Sequence, residues 1–397
     1  MNQHTYRKLI SGQNAGAVAW LLRRLLRMAS VGYAIGVGVR NFLYSRRWLK
    51  VHRVDAAVIS IGNITAGGTG KTPLVVWVYK QIVSNFRYQI SDARSQIADF
   101  ECAILTRGYK AAKKPRVETQ EYGDEVPILT EGCPQAKVIV NPDRVAGAAE
   151  AIGRYGAKVL IMDDGFQHRR LARDLDIVAV DATQPFGYGK LLPAGLLREP
   201  VSSLRRAQAV VITRCNQVAD AEVGELEEKL RTINPQMLIA RSIHSPVCVE
   251  YPEVSVIPAN AGIQKDSEKM DSCLRRHDSI EQLRGKKVFA FCGIGNPDAF
   301  LGTIKALGCK LAGSRVYDDH YDYTQRSLAD IYEQAEDLGA NLILTTQKDW
   351  TRIARLAGGR PDVPLAYLAV EIKFLAGQDR LTSLIEKTLA GKISPSG

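Results

Sequence analysis

The strongest constraint on the fold is local. A mostly apolar run, Ala56-Ala57-Val58-Ile59-Ser60-Ile61, precedes Thr65-Ala66-Gly67-Gly68-Thr69-Gly70-Lys71-Thr72, and Pro73-Leu74-Val75-Val76-Trp77-Val78-Tyr79 follows. A strand that ends in a glycine-rich turn, with Lys-Thr opening a helix, is the context a phosphate-binding loop requires. Glycines let successive backbone N–H groups curl around phosphate oxygens, and the helix N-terminus adds the positive end of its dipole. Residues Thr65, Ala66, Gly67, Gly68, Thr69, Gly70, Lys71 and Thr72 then hold a nucleotide. Lys71 reaches the β and γ phosphates and the Thr72 hydroxyl ligates Mg²⁺. One position departs from the pattern, because Thr65 stands where the first glycine of GxxxxGK[ST] falls. A glycine-rich hairpin without a ligand is the competing reading.

Beyond the loop, apolar runs alternate with helical patterns, the signature of a parallel sheet with crossover helices and hence of an α/β fold. Strands are expected at 56–61, 103–106, 138–140, 159–162, 177–180 and 210–213, with a smaller C-terminal sheet from 287–292, 342–345 and 365–370. The polar stretch 88–99 reads as a surface loop. Val159-Leu160-Ile161-Met162 ends in Asp163-Asp164. A buried strand that delivers an Asp to Mg²⁺ opposite the phosphate loop has this form, although a solvated strand end looks the same. Gly293-Ile294-Gly295-Asn296-Pro297 does not make a dinucleotide site, since Asp298 replaces the third glycine and Pro297 lacks an N–H.

A chain of 397 residues exceeds the usual size of one core, so two domains are expected. Its seven cysteines are scattered and never form CxxC, which fits a reducing compartment better than a zinc site or disulfide frame. The net charge of +11 suggests nucleic acid until it is located. Residues 1–54 carry ten of the basic residues and no Asp or Glu, leaving 43 basic against 42 acidic residues beyond them. The body is too balanced for a nucleic-acid surface, and no nucleic-acid partner is expected.

Within residues 16–50, Arg23, Arg24 and Arg27 fall on one side of a helix. Leu21, Leu22, Leu25, Leu26 and Met28 fall on the other. An apolar, glycine-containing run follows at 31–39, then Phe42, Tyr44 and Trp48 interleaved with Arg40, Arg46, Arg47 and Lys50. The apolar stretch is too short to span a bilayer, so this amphipathic segment is expected to lie on an anionic membrane surface. A cleaved signal peptide fits poorly, for want of a small-residue cleavage site. An ordinary helix packed on the core with a solvated basic face stays open.

Further motifs bring in a family. Ile61-Gly62-Asn63 with TAGGTGKTP is followed by TRGY (106–109), GDE (123–125), DDGFQHRRLARDLDIVAVDA (163–182), LLPAGLLREP (191–200), FCGIGNPDAF (291–300), DHYDYT (319–324) and TTQKDW (345–350). In this order they resemble the tetraacyldisaccharide 4'-kinases over most of the chain. The resemblance implies transfer of the ATP γ-phosphoryl group to the 4' hydroxyl of a tetraacyldisaccharide 1-phosphate, the lipid A disaccharide precursor, giving lipid IVA. It implies a peripheral protein of the bacterial inner membrane, working from the cytoplasmic side. It also implies a P-loop NTPase-like domain, a smaller C-terminal α/β domain and a cleft between them. The expected layout is a membrane-binding segment at 1–54, a kinase domain at 55–235 and a C-terminal domain at 236–397.

Site residues carry over by matching position. Asp124 of GDE resembles the family's catalytic base, paired with His320 of DHYDYT, which orients it or tunes its pKa. By itself His320 reads as an ordinary surface or core histidine, so its role rests on the resemblance. Asp163, Asp164 and Glu199 resemble the Mg²⁺-associated carboxylates, and Arg198 is placed to offset phosphate charge. Here Val126 stands between GDE and Pro127, where the family often has proline directly. Residues 252–284 read as an inserted flexible loop, with Cys273 and His277 functionless. The rival class is a membrane-associated regulatory ATPase or GTPase switch. Against it, Ala66 occupies the position where such switches carry a lysine, and no guanine-reading NKxD is present.

Overall fold

The computed structural model describes residues 3–89, 102–108, 125–251, 276–354, 356 and 363–393. They form two compact units, one of Met1–His244 with Ile372–Gly397 and one of Ser245–Glu371. The C-terminal stretch expected with the second domain therefore belongs to the first unit. The boundary itself lies after residue 244 rather than at 236.

The first unit starts with helices α1 (Gln3–Ser11) and α2 (Ala17–Ser45). Then come β1 (Ala57–Gly62), α3 (Lys71–Gln89), β2 (Cys102–Thr106), α4 (Glu125–Gly132), β3 (Lys137–Val140), α5 (Arg144–Tyr155), β4 (Val159–Asp163), β5 (Leu175–Asp181), β6 (Ala209–Thr213), α6 (Asp220–Ile233) and β7 (Leu238–Tyr251), whose first part lies in this unit. The strands pair in the order β7-β6-β5-β1-β4-β2-β3, every pair parallel. β1, β2, β4, β5 and β6 are buried along their whole length. This is why they read as continuous apolar runs rather than alternating ones: helices cover both faces of a parallel sheet. On one face α3 seats Leu74, Val75, Val78 and Ile82 against Ile59 and Ile61. Each such side chain contributes about 1.5–3 kcal/mol by leaving water. On the other face Ala148 and Ala151 of α5 meet Leu160 and Met162. Asp143 caps the start of α5 and left-handed Gly156 ends it.

The expected strands all form. α2 is one continuous 29-residue helix, and the glycines at 32, 36 and 38 do not interrupt it. The end of the expected loop, Arg276–Asp278, is a strand (β8) antiparallel to residues 249–251 of β7, whereas 252–275 lie outside the described residues.

The second unit continues with β9 (Lys287–Cys292), α7 (Pro297–Ala306), β10 (Lys310–Val316), α8 (Gln325–Asp337), β11 (Leu342–Thr346), α9 (Gln347–Ile353) and β12 (Leu365–Ala376), followed by α10 (Gln378–Ile393) of the first unit. Strands β10-β9-β11-β12 form a parallel sheet. A capping box between Thr324 and Ser327 starts α8.

Candidate active site

In the first unit the register of the sheet assembles the site. β1 pairs with β4 so that Ile61 lies opposite Asp163, which brings the aspartate beside the point where the chain leaves the sheet for residues 65–72. The segment after β4 folds across the end of β1: Gly165 N donates to the Ile61 carbonyl at 3.1 Å. Here Gly62 must be glycine, because a Cβ would come within 2.6 Å of Phe166 Cβ. Residues 196–198 run along the other side of the loop. Ala66 N donates to Leu196 O and Arg198 N to Ile64 O, both at 2.7 Å. Three motifs far apart in sequence therefore meet through backbone bonds.

The loop is held from below by strand ends. Asn63 Nδ2 donates to Thr69 Oγ1 at 3.0 Å, Thr213 Oγ1 to Thr69 O at 3.0 Å, and Arg214 to Gly68 O at 3.0 Å. Arg214 is in turn ion-paired with Asp181. Gly70 has φ +83°, and a Cβ there would lie 2.1 Å from His244 Nε2. Burial and the Arg214 charge keep that imidazole neutral, well below its ordinary pKa.

The charged groups sort into distinct roles. Arg198 Nη1 donates to both oxygens of Asp164 (2.9 and 2.7 Å), and Lys71 Nζ lies 3.4 Å from Oδ1. Burial alone would raise the Asp164 carboxyl, but Lys71 and Arg198 outweigh it and hold it well below the usual carboxylate range. Asp163 behaves oppositely. It is 1% exposed, and neither carboxylate oxygen has a hydrogen-bond partner among the described residues. Burial, with the Glu125 charge adding to it, pushes its carboxyl well above the ordinary value. Glu199 is fully buried. Its Oε2 accepts from Asn41 Nδ2 at 3.1 Å and pairs with Arg206 at 2.9 Å, while Oε1 is unpartnered among the described residues. No group of three His, Cys, Asp or Glu side chains converges among the described residues. Asp163, Asp164 and Glu199 thus do not form a single three-carboxylate cage.

Several contributors escaped the sequence reading. Arg144 is buried and donates to the carbonyls of Asn141 (2.8 Å) and Asp163 (3.0 Å). Glu125, the last residue of GDE, acts electrostatically on Asp163, Arg144 and Arg198. His168 is pushed down to about 4 by burial and then by Arg144 and Arg170. Glu125 and His168 lie inside motifs already singled out and Arg144 lies outside all of them, but only the fold shows what each faces. Asp124 lies outside the described residues, and so does its expected pairing.

The second unit gathers its own motifs. Asp349 is fully buried and accepts from Gly293 N (3.0 Å), Tyr323 OH (3.1 Å) and Arg352 (3.2 Å), which ties FCGIG, DHYDYT and TTQKDW together. His320, at φ +61°, lies with its ring nitrogens 3.2 Å from Lys348 Nζ and 3.3 Å from Arg352.

α2 is tied to the rest of the first unit by several polar groups. Ser30 Oγ donates to Leu191 O and Tyr33 OH to Arg198 O, each at 2.9 Å, Arg40 donates to Gln167 O, and Arg169 donates to Asn41 O at 3.1 Å. No residue of α2 is buried. One row of its apolar side chains is exposed, with Met28 at 72% and Ile35 at 62%, while Leu26, Val37 and Leu43 are half-buried. No helix among the described residues is long and apolar enough to cross a membrane.

A family profile described as Tetraacyldisaccharide-1-P 4'-kinase matches residues 22–390. A protein named Tetraacyldisaccharide 4'-kinase from Anaeromyxobacter sp. (strain K) is 33% identical over 394 residues, covering 96% of this chain and 95% of its own. The protein of that name from Halothermothrix orenii is 33% identical over 325 residues, 81% of each chain. The crystal structure of LpxK from Aquifex aeolicus in complex with ATP is similar with a TM-score of 0.63 at 26% identity, over 93% of this chain and 99% of that one.

Proposed function

Because the chain belongs to the tetraacyldisaccharide 4'-kinase family, we propose that it transfers the γ-phosphoryl group of ATP to the 4' hydroxyl of a tetraacyldisaccharide 1-phosphate. The observation that carries this is the convergence of the loop at 65–72 with Lys71, Asp164 and Arg198 on one end of the sheet. The loop cradles the triphosphate. Lys71 and Arg198, held together through Asp164, offset charge on the transferred group.

Thr72, Asp163 and Glu199 Oε1 are the groups that would hold Mg²⁺. The donor set fits, because Asp163 carries two buried, unpartnered oxygens and Mg²⁺ takes one or two carboxylates alongside phosphate oxygens and water. When bound, the ion supplies positive charge to the β and γ oxygens. Asp164 is already engaged by two cations, so its proposed part is to orient them. Asp124 is the proposed general base, and His320 serves the same proton transfer; both roles rest on family resemblance.

The acceptor is a lipid, and the outward apolar stripe of α2 with its basic flanks supports docking on an anionic membrane surface. For an inner-membrane enzyme this is the cytoplasmic leaflet, where ATP is supplied. The test of function is incubation with ATP and either the lipid disaccharide or buffer. Label transferred to the lipid supports the kinase; hydrolysis without transfer, stimulated by a protein partner, supports a switch ATPase.

A further inference from the structure

The Arg198–Glu199 dipeptide is gripped from α2 at two points. Tyr33 OH bonds the Arg198 carbonyl at 2.9 Å, and Asn41 Nδ2 bonds the Glu199 carboxylate at 3.1 Å. The two residues lie on the same side of α2, whose half-buried positions recur every three or four residues. Glu199 is fully buried, and a buried carboxylate keeps one orientation only if its partners hold it. Those partners are Asn41 and Arg206, both on Oε2, so Oε1 is left without a hydrogen-bond partner among the described residues. Arg206 is itself stacked over Phe166 of DDGFQ, 4.4 Å from the ring centroid. Asn41 is braced in turn by Arg169, which donates to its carbonyl at 3.1 Å. An amide suits this position, because it donates to one carboxylate oxygen without adding a second cation that would compete for the other.

We propose that Asn41 is a positioning residue for Glu199, holding the carboxylate so that Oε1 faces the metal-nucleotide site. The helix that presents the outward apolar stripe thereby also orients a group at the phosphate loop. This rests on the reading of Glu199 given above, and the test separates the two.

Full-length Asn41→Leu and Asn41→Ala are compared with the parent and with Glu199→Gln. The measurements are kcat, KM for ATP and for the lipid disaccharide, sedimentation with anionic vesicles, and Mn²⁺ affinity by electron paramagnetic resonance with a non-hydrolysable ATP analogue bound. Loss of an outer hydrogen-bond partner of a metal ligand costs about 10–100-fold in metal affinity or activity. Both Asn41 variants should therefore lose at least about tenfold in kcat and bind Mn²⁺ more weakly, with KM for lipid and vesicle binding unchanged. Parental kcat and Mn²⁺ affinity in both would overturn the proposal, as would a kcat loss that tracks loss of vesicle binding. Parental activity in Glu199→Gln would instead remove Glu199 from the site. An inactive Glu199→Gln beside normal Asn41 variants sinks the positioning role alone.

Discussion

Arg198 donates from a single guanidinium nitrogen to both carboxylate oxygens of Asp164, at 2.9 and 2.7 Å, and Lys71 reaches the same carboxylate at 3.4 Å. The aspartate thus holds two cations in place beside the phosphate loop, so neither has to be recruited when a nucleotide arrives.

Arg198→Ala should lower kcat about 10²–10³-fold, in the range of removing one preorganised charge stabiliser, with a smaller change in KM for ATP. Arg198→Lys should recover little of it, because an ammonium does not reproduce the planar guanidinium. Single-turnover transfer from labelled ATP checks both.

The Asp163 carboxylate is costly to bury. Its carboxyl pKa is raised in the folded protein, so the contribution to stability is present below the unfolded value and is lost as pH rises through the folded one. Asp163→Asn should therefore raise the melting temperature of the nucleotide-free protein at pH 8 by about 2 °C or more. The metal-dependent part of the stabilisation that Mg²⁺ with nucleotide gives the parent should be absent from the variant, and chelation should remove that part from the parent. Differential scanning calorimetry with and without EDTA decides this.

His168 sits at about 4 in the folded protein against an ordinary value of 6.5. A histidine held neutral contributes stability above the unfolded pKa and loses it as pH falls toward the folded one. Stability should decline between about pH 6.5 and pH 4, and His168→Gln should flatten that decline in denaturant titrations.

Gly70 has both a positive φ and the His244 ring where a side chain would go. Gly70→Ala should weaken ATP binding at least about tenfold, as expected for strain of about 1–3 kcal/mol at such a position. Gly70→Ala with His244→Ala should recover only part, since the second change removes the clash but not the backbone strain. Isothermal titration with ATP reads the difference.

For the proton transfer, Asp124→Ala should abolish the chemical step with ATP affinity retained, and His320→Ala should show a milder loss of the same kind. Nucleotide affinity that falls with turnover of bound ATP unchanged would contradict both roles.

The parts of this protein legible from sequence are those whose physics is short-ranged. The strand, glycine turn and Lys-Thr at 56–72 form one contiguous unit, and the buried strands announce themselves as apolar runs because both faces of a parallel sheet are covered. Which residues of α2 pack on the protein was not legible, because a helical stripe shows that two faces differ and not which one meets the protein. Nor were the partners of the acidic residues. Asp163 and Asp164 are adjacent in sequence, yet one is unpartnered and pushed up while the other is clamped by two cations and pushed down. In sequence they are the same residue type after the same strand. The difference comes from residues 71, 125, 144 and 198, which only the register of the sheet brings within range. The sequence by itself determined the loop, the strands and the family. Tertiary structure decided what each carboxylate faces and which side of α2 is turned outward, because charge interactions and burial depend on distance in space.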